Sequence, residues 1–331
     1  MTGMLLSKGF VATYGKLLDE TARRAGLAPA IVHLPDDPQA RLAPADCDRI
    51  QATMLTRDIR FSAHYQAYGE TLLAANHLKF AHFDSTAIEQ HPIVAPLQKR
   101  GVKLTTATGS NGVPVAQTAV TTMLMMSREL PHFLDAQRRK TWEPVRASAQ
   151  PPDVQGQTIL IIGMGTIGST VARFAQVLGM HVIGIRRQPR AAADPVDEMQ
   201  TLAELPALLP RCDWIVLACP LVPETRGLIN ARSLALMKKS AGLINVARGA
   251  LCDEEAVIAA LKSGQIRCAH LDVFATEPLP AASPLWEMPN VIVTPHSAGS
   301  SAGNELRSVR MFLDNLERWA HGETLLNLQP A

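Results

Sequence analysis

The chain lacks the features on which several classes of protein are built. Its 331 residues carry 32 Lys and Arg against 30 Asp and Glu, and a net charge of +2 leaves no basic excess for nucleic acid or an anionic membrane surface. Its only short basic cluster away from residues 186–190, Arg138-Arg-Lys140, reads as a solvated helix end. Five cysteines (Cys47, Cys212, Cys219, Cys252 and Cys268) form no C-x-x-C pair, and their odd number argues against a complete disulfide framework. A reducing cytoplasm is the expected compartment. No apolar run approaches the length of a membrane span, and Lys8 follows the first apolar patch too soon for a signal-peptide core. Internal repeats and low-complexity segments are absent too, and no metal is expected.

What is present is a chain long enough for two domains, with a 47% hydrophobic content that supports well-buried cores. Its organising stretch is Thr158-Ile-Leu-Ile-Ile-Gly-Met-Gly-Thr-Ile-Gly-Ser169. The apolar residues Thr158 to Ile162 show no polar alternation, which predicts a strand buried on both faces. A helix is expected over Ser169 to Gly179, with Val171, Phe174, Ala175 and Leu178 at helical spacing. Gly163 suits a tight turn off the strand, Gly165 a close approach to a pyrophosphate, and Gly168 a close helix–sheet contact. A second strand at His181 to Ile185 completes a βαβ unit, which turns a weak glycine motif into a specific dinucleotide-binding expectation.

Residues 1 to about 107 show their own α/β alternation, with strands expected at Met4–Leu6, Ile31–Leu34, Ile50–Leu55, Leu78–Phe83 and Val102–Thr106. Pro35 to Pro44 reads as a loop, and Arg60 to Gly69 gives no clear signal. Val115 to Leu130 is a helical connector between domains, with its methionines assigned to core packing. The prolines between 131 and 157 suggest an excursion or arm around Trp142. Further strands are expected at Asp213–Ala218, Gly242–Val246, Arg267–Leu271 and Val291–Thr294, with helices at Ser233–Lys238 and Glu254–Leu261. A closing helix spans Glu305 to Trp319, and a return to the first domain would explain it.

In a dinucleotide fold the carboxylate that binds the adenosine ribose ends the second strand. That place, 18 residues after Gly168 (186 − 168), holds Arg186 followed by Arg187. An Asp there would repel a 2′-phosphate, whereas guanidinium groups bind one, so NADP(H) is expected over NAD(H), with NAD(H) possible. Three residues at the ends of later strands suit 2-oxoacid chemistry: Arg248 as a two-point carboxylate clamp, His296 as a proton donor, and Glu277 as the group that fixes its ring.

The ordered motifs Asp213-Trp-Ile-Val-Leu-Ala-Cys-Pro-Leu-Val-Pro-Glu-Thr-Arg-Gly227, Asn245-Val-Ala-Arg-Gly249, Leu271-Asp-Val-Phe, Glu277-Pro-Leu-Pro280 and Pro295-His296 closely resemble the D-isomer-specific 2-hydroxyacid dehydrogenase family. The resemblance covers about residues 100 to 300 specifically and the first hundred only weakly. It implies an α/β protein of two Rossmann-like domains: a doubly wound parallel sheet in a dinucleotide-binding domain of residues 111–299, and a smaller flavodoxin-like substrate domain of residues 1–110 and 300–331. It also implies catalytic roles for Arg248, Glu277 and His296. Cofactor contacts are implied at Thr166 and Ile167 beside Gly163, Gly165 and Gly168, at Arg186 and Arg187, at Cys219 and Pro220, and at Val246, Ala247, Asp272, Ser297 and Gly299. Substrate contacts are implied at Ala87, Ile88, Arg248 and Trp142, the last on a dimerisation arm of about residues 131–157 in a homodimer.

The chain departs from the family pattern at Phe83-Asp-Ser-Thr-Ala-Ile88, where a glycine-containing loop usually meets the substrate carboxylate, and at Val115-Ala-Gln117 in place of Val-Ala-Glu. The expected activity is NADP(H)-dependent reduction of a small 2-oxoacid, glyoxylate or hydroxypyruvate first. A phosphoglycerate dehydrogenase-like enzyme and a catalytically weak NAD(P)-sensing protein are the alternatives.

Overall fold

The computed structural model describes residues 1–85, 88, 91–145 and 150–330. It divides into two compact units, Met1–Ser110 with Ala302–Ala331, and Asn111–Ser301.

The first unit is built on β1 (Thr2–Leu5), β2 (Pro29–Val32), β3 (Ile50–Leu55), β4 (Phe80–Phe83) and β5 (Lys103–Thr106). All pair in parallel, in the order β2-β1-β3-β4-β5, the flavodoxin-like arrangement. Apolar side chains fill both faces. Leu5, Leu55, Ala81 and Phe83 enter one core, and Met4, Ala52, Met54 and Phe80 enter the other. The second core is closed by the helix Asn304–Ala320, whose Val309, Phe312 and Leu316 share one face at spacings of three and four. This helix packs on Lys8–Arg24, which starts at Ser7, whose hydroxyl accepts from the Phe10 amide at 2.9 Å.

The second unit holds β6 (Thr158–Ile162), β7 (His181–Ile185), β8 (Glu198–Gln200), β9 (Trp214–Leu217), β10 (Gly242–Asn245), β11 (Cys268–Leu271) and β12 (Val291–Val293). Their order, β12-β11-β10-β9-β6-β7-β8 with parallel pairing throughout, is a doubly wound sheet. The chain runs outward from β6 in one direction and then returns to start again at β9. A crevice at the carboxyl ends of β6 and β9 is the place such sheets offer a ligand.

The absence of polar alternation in β6 now has its reason. Leu160 and Ile162 enter the core on one side while Ile159 and Ile161 enter the core on the other, and all four are at most 1% exposed. Burying each such side chain stabilises the fold by about 1.5–3 kcal/mol, so both faces favour the same register.

Several boundaries differ from expectation. The helix after β6 is Thr166–Val177, three residues earlier than its apolar spacing suggests, because it starts within the glycine motif. Residues 60–69 include the start of the helix His64–Ala74, which buries Ala67, Tyr68, Gly69 and Thr71. That mixed face carries no apolar period to read. The edge strand β8 has only half-buried residues, and nothing in Glu-Met-Gln marks it. The start of the expected excursion is the helix Leu130–Arg138, with Pro131 in its first turn, where a missing N–H costs nothing. Among the described residues no helix is long and apolar enough to cross a membrane, and no group of three His, Cys, Asp or Glu could hold a metal ion.

Candidate active site

At the end of β6 the backbone turns through Gly163, whose φ of 103° favours glycine, and a Cβ there would lie 2.5 Å from the Cys219 amide nitrogen. The turn can therefore lie directly against the end of β9, where Cys219 and Pro220 follow. Gly168 is equally constrained, because its Cβ would sit 2.0 Å from the Gly163 carbonyl oxygen. Gly165 differs: nothing lies within 4 Å of its Cβ position, and it and Thr166 are exposed. The helix that begins at Thr166 has no side-chain cap and no acid in its first turn. Its unpaired N–H groups and positive dipole end, with Ile167 in that first turn, could hold the pyrophosphate of a dinucleotide. The residues present fit such a cofactor.

At the end of β7 the two arginines part company. Arg186 makes a two-point ion pair with Asp194, at 2.8 and 2.5 Å, while its remaining bonds go to the carbonyls of Gln188 and Pro189. Arg187 is exposed and forms no ion pair among the described residues. Of the two expected phosphate ligands, Arg187 thus stands open, while the charge of Arg186 is matched by a carboxylate.

The trio lies in the loops that follow β10, β11 and β12. Arg248 is exposed at the mouth of a turn organised by buried Asn245, whose amide donates to the Arg248 carbonyl at 3.0 Å and whose oxygen accepts from the Ala247 amide at 3.1 Å. Val246 and Ala247 are buried beside it. Glu277 accepts from the Phe274 amide at 3.1 Å through one oxygen and from His296 Nδ1 at 2.7 Å through the other. Partial burial pushes its carboxyl up, but the His296 bond, the Phe274 amide and the charges of His296 and Arg248 outweigh it and hold the carboxyl below the usual Glu range. With Nδ1 given to Glu277, His296 has Nε2 left for a substrate, and its side chain is 52% exposed.

His296 is also one of the few non-glycine residues in the left-handed region, with φ of 51°. Its conformation is over-determined by the residue beneath it. The Asp272 carbonyl accepts from the His296 amide at 2.8 Å, and one Asp272 carboxylate oxygen accepts from the Ser297 and Ala298 amides and from the Thr294 hydroxyl at 2.8, 3.0 and 2.6 Å. Thr294 in turn contacts His270 Nε2 at 3.0 Å. Because the Thr294 proton goes to Asp272, His270 must donate through Nε2 and stay neutral, in keeping with burial pushing its pKa down to about 4. A strained residue held by this many bonds marks a position where geometry is being kept for a purpose. Gly299 closes the same loop near Asn111.

The substrate-side expectations fare unevenly. Ile88 is 1% exposed and packed in the core with Leu55 and Phe83, so its side chain cannot face a ligand. Ala87 lies outside the described residues. Trp142 is 95% exposed. Sequence reasoning passed over Asp194, Thr294 and His270. Only Asp194 left a trace, as the first acid after the arginines.

Residues 120–298, more than half of the chain, match the family model described as D-isomer specific 2-hydroxyacid dehydrogenase, NAD binding domain. The chain belongs to this family. It is 33% identical over 231 residues to a D-3-phosphoglycerate dehydrogenase from Methanocaldococcus jannaschii, a match that takes in 70% of this chain but only 43% of that protein. With a glyoxylate reductase from Korarchaeum cryptofilum it is 33% identical over 237 residues, 70% of each chain. The solved structure of a D-isomer specific 2-hydroxyacid dehydrogenase from Xanthobacter autotrophicus Py2, in complex with NADPH and MES, superimposes with a TM-score of 0.70 at 28% identity, covering 100% of this chain and 98% of that one.

Proposed function

We propose that the protein is a reductase of small 2-oxoacids that uses NADP(H) in preference to NAD(H), with glyoxylate or hydroxypyruvate as the first candidates. The observation that carries the reading is the Glu277–His296 pair at 2.7 Å, with Arg248 near enough for its charge to act on Glu277. Family membership supports the chemistry, and the NADPH complex of the Xanthobacter relative supports the cofactor.

The turn at Gly163 to Gly168 would hold the cofactor, which would supply the hydride. Arg248 holds the substrate carboxylate through two parallel bonds and polarises the neighbouring carbonyl. The protonated His296 delivers the proton from Nε2 to the carbonyl oxygen as the hydroxyl forms. Glu277 keeps the ring oriented through Nδ1. Asp272, buried and fixed by three donors, has a second carboxylate oxygen available to the nicotinamide carboxamide.

A homodimer in the cytoplasm belongs to the same proposal. Trp142, Leu130, Phe133 and Leu134 are large apolar side chains exposed in one stretch of sequence, the kind of surface a second copy would cover. Sedimentation of the purified chain at the monomer mass would sink that part.

The test of the activity is the initial rate of NADPH and NADH oxidation with glyoxylate, hydroxypyruvate, pyruvate and 3-phosphohydroxypyruvate. Turnover of a small 2-oxoacid that is faster with NADPH and lost in His296→Ala supports the proposal. Preference for 3-phosphohydroxypyruvate would favour the phosphoglycerate dehydrogenase-like reading instead, which the Methanocaldococcus relative suggests. Tight cofactor binding without turnover on any acid would favour a sensing role.

A further inference from the structure

The loop after β7 contains a charge arrangement that the cofactor reading alone does not use. Arg186 and Asp194 face each other through two parallel N–H···O bonds, and both side chains are largely withdrawn from solvent, at 20% and 11% exposure. The loop is wound around this pair. The Ala191 amide donates to Asp194 at 2.6 Å, and Arg186 reaches back to the carbonyls of Gln188 and Pro189. Of the five N–H groups of Arg186, four are engaged. Arg190 is also occupied, donating to the carbonyls of Val196 and Asp197. Arg190 is exposed too, but Arg187 alone of the three has neither an ion pair nor a side-chain hydrogen bond among the described residues.

We infer that Asp194 is a specificity-determining residue for the adenosine end of the cofactor: it claims Arg186 as its own counter-ion, leaves Arg187 to meet a ribose 2′-phosphate, and so lowers the preference for the phosphorylated nucleotide. The inference rests on the proposal that this strand end reads the 2′-phosphate. A pair of opposite charges in contact presents almost no net field to a phosphate a few ångströms away, whereas an unmatched guanidinium offers both charge and a forked donor. Two arginines in the sequence therefore act as one in the fold. Asp194 is a lever by which the site tolerates either cofactor form.

The experiment is calorimetric titration of the full chain with adenosine 2′,5′-bisphosphate and with AMP, two ligands that differ only in the 2′-phosphate. Their affinity ratio is the readout, so no turnover is needed. Asp194→Asn keeps an oxygen for the Ala191 amide and frees the charge of Arg186; the ratio should rise about tenfold, the scale of one charge-assisted hydrogen bond. Arg187→Ala should lower it by about the same factor. The double variant Arg186→Met with Asp194→Asn removes a pair of no net charge, and its ratio should stay within about threefold of wild type, since replacing such a pair by uncharged groups is often neutral.

An unchanged or lower ratio in Asp194→Asn, with AMP still bound, overturns the inference. So does a double variant that falls as far as Arg187→Ala. Should Asp194→Asn lose AMP as well, the loop has collapsed and the comparison of the double variant with Arg187→Ala decides. A wild-type ratio near one would instead sink the NADP(H) preference, and a rise in Asp194→Asn would then still establish the clamp. Added salt should shrink the rise, because the effect is electrostatic.

Discussion

Two ends of the same parallel sheet carry a cation against a carboxylate, and they differ in how completely each pair is closed. At β7, Arg186 and Asp194 spend nearly all their bonding capacity on each other and on their own loop, and little of either is exposed. Beyond β11 and β12, Glu277 and His296 form an equally short pair but stay 37% and 52% exposed, with one imidazole nitrogen uncommitted. A closed pair builds a loop; a half-open pair leaves a group that can exchange a proton. The second arrangement is the costlier, since His296 sits at a φ of 51° and needs Asp272, Thr294 and His270 beneath it.

The comparison can be broken most severely at Arg248, the exposed cation beside the open pair. Arg248→Lys keeps the charge but loses the planar fork, and kcat/KM for the preferred 2-oxoacid should fall about 30-fold, or about 2 kcal/mol. A change of less than threefold would mean the carboxylate is held elsewhere. The bracing is tested next. Thr294→Val leaves the buried His270 Nε2–H without an acceptor and removes one donor from Asp272, which should cost about 1–3 kcal/mol of stability in denaturant titration. An unaltered midpoint would show that the brace is idle.

The smallest effect concerns the titration of Glu277. Its carboxyl is held below the usual Glu range against the opposing push of burial, so the ionised form persists as pH falls until that lowered value is passed. Its contribution is therefore present above the ordinary Glu range and lost only on further acidification. In His296→Ala both the bond and the charge of the ring disappear, and carboxyl NMR should find Glu277 titrating at higher pH than in wild type. A downward displacement would contradict the pairing.

These contrasts mark where the sequence could be read and where it could not. The strand β6 was legible because two apolar faces leave a run without alternation, and Gly163 and Gly168 because each answers a separate steric demand. The helix after them was read three residues late, since a turn made of Gly-x-x-Gly carries no apolar stripe. Arg248, Glu277 and His296 could be picked out because strand ends are where such sheets place chemistry. The neutralisation of Arg186 could not, as its partner lies eight residues away across a loop whose path only the fold defines. His270 and Thr294 were hidden for a related reason: they meet through the pairing of β11 with β12, a register that neither strand states alone. Ile88 shows the converse: nothing in its loop signalled that its side chain is packed in the core.

The central claim is that Glu277 acts through His296, and a double-mutant cycle in kcat with NADPH and the preferred 2-oxoacid addresses it most directly. His296→Ala should reduce kcat about 10³-fold and Glu277→Gln by a smaller factor, with the double variant no slower than His296→Ala alone to within about threefold. Losses that multiply in the double variant would contradict the account, because they would give Glu277 a role independent of the imidazole it holds.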